Sequence, residues 1–334
     1  MTVAPSPVAV VVVTWNSREH IGDCLDSLAA LEPPPAEIVV VDNGSTDGTP
    51  DRVREGHPAV RLIECGANVG YCRANNLGFD ETRSPLVLAL NPDTRLTPGF
   101  LRELTPAFDD PAVGIAAGKL LRFDGRHLDS AGQLLGRSRQ PLDRGYGEPD
   151  RGQLDEDGEV FGACGAAALY RRAMLESVRD PETGYFDETF FAFYEDLDLA
   201  WRARRKGWKA VYRHRAVGHH ARGGTTGRSS PAARWTASLG RPAEVRFHIA
   251  KNRYLTILKN DTRGAYLRNL AFIWARDLGV FVMLALTSPG VLVRLWRERE
   301  VFRQALARRR LDAGRLGHET QHGGPPAGGP TEEV

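Results

Sequence analysis

The sequence predicts an α/β fold in which a mostly parallel sheet carries helices on both faces, followed by a helical C-terminal extension. Three observations predict it. The early apolar segments are continuous Val/Leu runs with no alternation of polar residues, as expected for parallel strands covered on both sides. Each run stops at turn-forming Asn, Asp, Gly or Pro residues. The runs alternate with helix-like segments, the pattern of a doubly wound, Rossmann-like sheet. Such sheets bind ligands at the carboxyl ends of their strands.

Taken in order, "VAVVVVTWNS" is the first strand, its apolar run from Val8 to Val13 too short and too poor in basic flanks for a signal peptide. Ile21, Leu25 and Leu28 then mark one face of a helix. "AEIVVVDNGSTDGT" is a second strand leading to a short helix, and "SPLVLALNPD" a third strand after an Asn/Gly-rich stretch. Residues 122–153 are rich in Gly, Arg and Asp and read as surface loops or short strands. A second ordered block contains "VFGACGAAALYRRAML", "GYFDETFFAFYEDLDLAWRARRKGW" and "KAVYRHRAVGHHARGG". Beyond residue 260 the chain turns apolar and helical, then basic. The expected organisation is one domain over residues 1–260, in two halves that meet near residue 120. Helices follow over 261–312, and a disordered tail over 313–334.

Composition narrows the function. The 334 residues, 42% hydrophobic and 26% charged, describe an ordinary globular protein. A net charge of +2 gives no reason to expect nucleic acid as a partner. Cys24, Cys65, Cys72 and Cys164 form no CxxC pair, which suits a reducing compartment and excludes a zinc or disulfide scaffold. No GxGxxG or GxxxxGK[ST] fingerprint occurs, so dinucleotide binding and P-loop hydrolysis are not expected.

Several residues carry chemistry. Asp93, after Asn91 and Pro92, lies where an apolar strand leaves the core, well placed to share a magnesium ion with substrate phosphates; the same residues also make an ordinary turn. Asp42 can accept hydrogen bonds from a nucleobase or ribose, or can cap a helix. In "GANVGYCRANNLGF", Asn68, Gly70, Asn76 and Gly78 permit tight backbone, and Arg73 offers a fixed positive charge for an anion. Glu195 and Asp196 adjoin an aromatic wall of Phe190, Phe191, Phe193 and Tyr194, whose desolvation raises a carboxylate's proton affinity. The alternative is an acidic helix start followed by basic Arg202, Arg204 and Arg205. His219 and His220 beside a Gly-rich turn suit a metal or phosphate.

In combination, "VVVVTWNS", "VVVDNGSTDGT", "NVGYCRANNLGF", "LNPDTRL", "FDETFFAFYEDLDLAWRARRKGW" and "AVGHHARGG" resemble family 2 inverting glycosyltransferases of the GT-A fold, over about residues 8–260. The pattern looks most like the bacterial rhamnosyltransferase-type members. The resemblance implies that Asn91-Pro92-Asp93 stands for an Asp-x-Asp metal motif, leaving Asp93 as the main ligand for Mg²⁺ or Mn²⁺. It places Asp196 as catalytic base beside Glu195, and His219 near the metal and diphosphate. Thr14, Asn16 and Asp42 line the nucleotide pocket, with Asn68, Arg73, Asn76 and Asn91 completing the nucleotide-sugar site. The implied donor is dTDP-L-rhamnose, with UDP-sugars next, and the implied acceptor is a glycan or a polyprenyl-linked precursor. A sugar-nucleotide pyrophosphorylase or a non-catalytic carbohydrate-binding subunit are the other classes. The first should carry a Gly-rich basic loop where this chain has "TWNSREHIG".

Between Leu278 and Val293 the chain is apolar, but shorter than the ~20 residues that span a bilayer. From Arg294 to Arg310 seven arginines face two glutamates, with Leu295, Trp296, Val301, Phe302 and Leu306 interspersed. That composition suits helices lying on an anionic membrane surface, which implies a cytoplasmic enzyme peripheral to the inner face of the cell membrane. A helical hairpin packed on the catalytic domain or in a homodimer interface is the plainer reading.

Overall fold

The computed structural model describes residues 5–222 and 240–319, with side chains through Arg309. The first half alternates strands and helices: β1 (Ser6–Thr14), α1 (Arg18–Ala29), β2 (Pro35–Asp42), α2 (Thr49–Gly56), β3 (Arg61–Glu64) and α3 (Tyr71–Asp80). Next come β4 (Leu86–Leu90), β5 (Thr94–Leu96), α4 (Phe100–Leu104) and the long β6 (Val113–Arg122). Residues 122–153 hold short strands, as expected: β7 (Leu128–Ser130), β8 (Gln133–Leu135) and β9 (Pro141–Asp143). Then follow β10 (Gly158–Val160), β11 (Ala167–Arg171), α5 (Arg172–Val178), α6 (Glu195–Arg205) and β12 (Lys209–His220).

Ten strands form one mixed sheet with the path β10-β12-β6-β11-β4-β1-β2-β3; β5 pairs with β12 and β7 with β6. β3, β2, β1 and β4 are mutually parallel, whereas β11 runs antiparallel between β4 and β6. The chain steps from β1 outward to β3, then returns to the other side of β1 as β4. This reversal opens a crevice at the carboxyl ends of β1 and β4, the place where α/β sheets take ligands. The continuous Val/Leu runs are explained by burial on both faces. Val10, Val12, Val40, Leu88 and Leu90 pack in one cluster with Ile21, Leu25 and Leu28 of α1. On α3, Gly78 has no room for a side chain: a Cβ there would lie 2.3 Å from Val11 Cγ1. That glycine sets how closely α3 sits on the sheet.

The chain divides into two compact units. The sheet unit takes residues up to 133 and 143–229; the other takes 134–142 and the chain from 230. The division falls before the helix Ala243–Asn260, which the sequence reading had grouped with the catalytic domain. The reason is packing: its Phe247 and Ala250 form a small core with Leu284 and Val291. Within this unit Arg139 is paired to Asp261 at 2.7 Å, both buried, and Arg253 to Asp277 at 2.8 Å. Helices Leu270–Thr287 and Pro289–Arg297 are separated at Ser288, where the break was expected. The last helix, Arg299–Glu319, continues past residue 313, the expected start of a disordered tail, because Ala, Leu and Arg favour helix. The remainder of that tail lies outside the described residues.

Candidate active site

At the end of β1, Thr14 is buried and its hydroxyl donates to Asp42 Oδ1 at 3.0 Å. Asp42 Oδ2 accepts from the Ser45 N–H at 2.9 Å, which turns the chain after β2. Asn16 stands in the left-handed region (φ 50°) and its Oδ1 accepts from the Thr46 N–H at 2.9 Å. These contacts bring Thr14, Asn16 and Asp42 together. A second clasp joins the β2–α2 and β3–α3 loops: Asn43 Nδ2 donates to Asn68 Oδ1 at 3.0 Å, and Asn43 Oδ1 accepts from the Val69 N–H at 2.7 Å. Asn68 thus builds the wall of the crevice, together with Asn43, a residue the sequence reading did not single out.

Asp93 follows β4. Its Oδ1 lies 3.2 Å from His220 Nε2, and His220 Nδ1 lies 2.8 Å from Asp129 Oδ2. Burial pushes the Asp93 carboxyl up, but the hydrogen bond and charge of His220 more than offset this and hold it below the usual range. Burial works against protonation of His220, yet Asp129 and Asp93 push its pKa up to about 9. Arg222 continues the chain of charges, paired with Asp129 at 3.0 Å and with Asp143. His219, the expected metal-side histidine, is on the wrong face. Successive strand residues point to opposite sides, so only one histidine of the pair can meet Asp93, and it is His220. Burial and then Arg95 depress the pKa of His219. No periodicity in the sequence distinguished the two.

The carboxylate pair opens α6. Its approach is strained: Phe191, Phe193 and Tyr194 all have positive φ (68°, 72° and 71°), uncommon for large side chains. Glu195 is buried, and one of its carboxylate oxygens has no hydrogen-bond partner among the described residues. Burial, then the adjoining Asp196, push its pKa up to about 8. Asp196 is held by three donors. Its Oδ2 accepts from Gln133 Nε2 at 2.7 Å and from the Gly165 N–H at 3.0 Å; its Oδ1 accepts from the Leu197 N–H at 2.8 Å. Burial raises Asp196 as well, opposed by those hydrogen bonds. Tyr71 ties this corner to the strand end, its hydroxyl 3.1 Å from Asn91 Oδ1 and 3.3 Å from the Gly165 carbonyl.

Of two expected nucleotide-sugar residues, Asn76 is committed to structure, whereas Arg73 lies near Cys65, on which Asp42 also acts. Asn76 is buried; its Nδ2 donates to the Phe186 carbonyl at 2.9 Å and its Oδ1 accepts from the Phe186 N–H at 2.9 Å. Both ends of the amide are spent clipping α3 to the loop before α6. Arg73 is exposed on α3, where its charge acts on Cys65 beyond the end of β3. Among the described residues no three His, Cys, Asp or Glu side chains form a metal-binding group. A cation carried in by a diphosphate needs less. Asp93 is held anionic by His220, which it meets through Oδ1. One such carboxylate fits an ion completed by phosphate oxygens and water, with His220 able to join it once its proton is displaced.

Residues 9–179 match the model of glycosyl transferase family 2. An N-acetylglucosaminyl-diphospho-decaprenol L-rhamnosyltransferase of Mycobacterium tuberculosis is 33% identical over 255 residues, covering 68% of this chain and 80% of the relative. A low-salt glycan biosynthesis hexosyltransferase of Haloferax volcanii is 26% identical, covering 60% of this chain and 62% of its own. Among solved structures, a mannosyltransferase of Pyrobaculum calidifontis in complex with GDP-Man and Mn²⁺ superposes with a TM-score of 0.52 at 20% identity, covering 92% of this chain and 89% of the other. S. aureus TarS 1-349 with UDP-GlcNAc gives 0.51 at 18% identity, over 90% and 80%. These two likenesses bear on the fold. With the crevice at the β1/β4 reversal and the carboxylates gathered on it, the chain belongs to glycosyl transferase family 2: it is a GT-A glycosyltransferase.

Proposed function

We propose that this enzyme is an inverting transferase that moves L-rhamnose from dTDP-L-rhamnose to a polyprenyl-diphosphate-linked or related glycan acceptor, with Asp196 as the base. The observation that carries the reading is the carboxylate pair at the start of α6. Glu195 keeps its proton at neutral pH, so the negative charge of the pair rests on Asp196, which three donors hold in one orientation. Asp196 takes the proton of the acceptor hydroxyl as that oxygen attacks the anomeric carbon, and the bond to the diphosphate oxygen breaks on the opposite face. One displacement of this kind inverts the anomeric centre. Thr14, Asn16 and Asp42 hold the nucleoside, and Asn91 the sugar-diphosphate side. When bound, Mg²⁺ or Mn²⁺ held by Asp93 supplies positive charge for the departing diphosphate. The relative's rhamnosyl donor and diphospho-decaprenol acceptor support the substrate class.

The second unit supports a membrane-surface location for a lipid-linked acceptor. Helix Leu270–Thr287 has a mean hydropathy of 1.7 and only 11% of it is buried. It exposes Trp274, Leu278, Phe281, Val282 and Leu286 at helical spacing, beside the basic Arg294–Arg310 stretch. The test is incubation with dTDP-L-rhamnose, a polyprenyl-diphosphate N-acetylglucosamine and Mn²⁺, with the product anomer read by NMR. Inversion is expected. Transfer with retention, or transfer only from a different sugar nucleotide, overturns the reading.

A further inference from the structure

Gln133 was not visible as a site residue in the sequence, yet it touches the carboxylate assigned here as the base. It is 4% exposed, and its backbone is pinned on both sides: its N–H donates to the Gly162 carbonyl at 2.8 Å and its carbonyl accepts from Phe161 at 2.8 Å. Its Nε2 reaches Asp196 Oδ2 at 2.7 Å, while its Oε1 is buried without a hydrogen-bond partner among the described residues. A buried amide with one idle end is unusual, because each unpaired polar atom costs about 1–3 kcal/mol.

The idle end gains a use when Asp196 changes state. The other two groups bonded to Asp196 are backbone N–H donors from Gly165 and Leu197. Neither can accept a hydrogen bond from a protonated carboxyl. An amide can do both, through its NH₂ or its carbonyl oxygen. We propose that Gln133 is a positioning residue that serves Asp196 in both protonation states: it donates Nε2–H to the carboxylate, then turns over and accepts from the carboxylic acid through Oε1. The proton comes from the acceptor hydroxyl, whose oxygen bonds the anomeric carbon as the nucleoside diphosphate leaves with its electron pair. No partner of Oε1 is lost in the turn.

The inference rests on Asp196 being the base, so the test includes a readout that needs no substrate. Other groups around Asp196 are Glu195 on α6, Asp143 at the end of β9, Tyr71 on α3, Tyr170 on β11 and Cys164 ahead of it. Carbon NMR of the Asp196 carboxyl and nitrogen NMR of the Gln133 side-chain amide are followed through a pH titration of the free full-length protein. In the wild type the Gln133 amide shift is expected to track the Asp196 titration. In Gln133→Leu the Asp196 titration is expected to move to higher pH, with kcat for rhamnosyl transfer falling roughly tenfold, less than the 10²–10⁴-fold expected when the base itself is lost. Its acid limb should shift the same way, with unchanged affinity for nucleoside diphosphate and Mn²⁺. Gln133→Glu keeps size and polarity, and should raise the Asp196 titration further because two carboxyls then share a site. An Asp196 titration unaltered in either folded variant overturns the proposal. Absence of rhamnosyl transfer by the wild type, with the NMR result intact, counts against the substrate assignment alone.

Discussion

Asp196 and Glu195 are neighbours in sequence but face different surroundings, and their substitutions should separate accordingly. Asp196→Asn keeps the shape of the side chain but removes its ability to take a proton. Transfer should fall by roughly 10²–10⁴-fold while donor affinity stays near wild type, checked by kcat alongside calorimetry. Glu195→Gln should act on stability instead. The folded pKa of Glu195 is raised to about 8 from an ordinary 4.5, so its stabilising contribution is complete below the ordinary value and is lost as pH rises through the folded one. Gln removes that loss: melting curves should show the variant gaining on wild type as pH rises from about 4.5 to about 8, with little difference below 4.5 and the full gain above 8. Equal melting shifts at both pH values would count against a buried, protonated Glu195. At this scale the sequence was informative about where residues at strand ends sit, as for Thr14, Asp42 and Asp93. It was silent where the role depends on a partner far along the chain. Gln133 meets Asp196 across 63 residues, and Asp129 meets His220 across 91.

The segment leading into α6 makes a different point. Phe191, Phe193 and Tyr194 hold backbone conformations that cost of order 1–3 kcal/mol each for non-glycine residues. The loop is fixed from outside by Asn76, and at Gly70 a Cβ would lie 2.7 Å from the Phe191 ring. Phe193 is exposed, so replacing it removes little packing. Phe193→Gly is expected to keep or raise Tm while lowering kcat several-fold, because relief of strain loosens the start of α6. A kcat equal to wild type would show that the strained turn has no part in placing the carboxylates. The parallel strands were readable from their unbroken Val/Leu runs, α1 from its apolar spacing, and α6 from an acidic start followed by basic residues. The strained turn was not, because "FFAFYED" contains no glycine or asparagine to announce left-handed backbone.

For the whole molecule, the C-terminal unit provides the clearest physical test. Trp274 is 63% exposed and Leu286 80%, side chains that water hydrates at a cost. Full-length protein should co-sediment with anionic vesicles at low salt. A variant with Trp274, Phe281 and Trp296 changed to Ser should lose most of that binding, since each exposed aromatic contributes buried area at the interface. Equal sedimentation of the two proteins would remove the membrane surface as a partner. The sequence announced the apolar and basic character of these helices. It did not announce that Ala243–Asn260 packs with them, because that helix carries many polar residues that are nonetheless buried, Asn252 and Arg253 among them. The sheet of the first unit has its own consequence. β4, whose end leads to Asp93, is hydrogen-bonded to β11, β11 to β6, and β6 to β12, which ends at His220. The strand ends that carry Asp93 and His220 are therefore joined through one continuous backbone lattice. A lattice of this kind works as a ruler. Its spacing is set when the protein folds, so the ends of β4 and β12 that bring Asp93 and His220 together are in place before any ligand arrives.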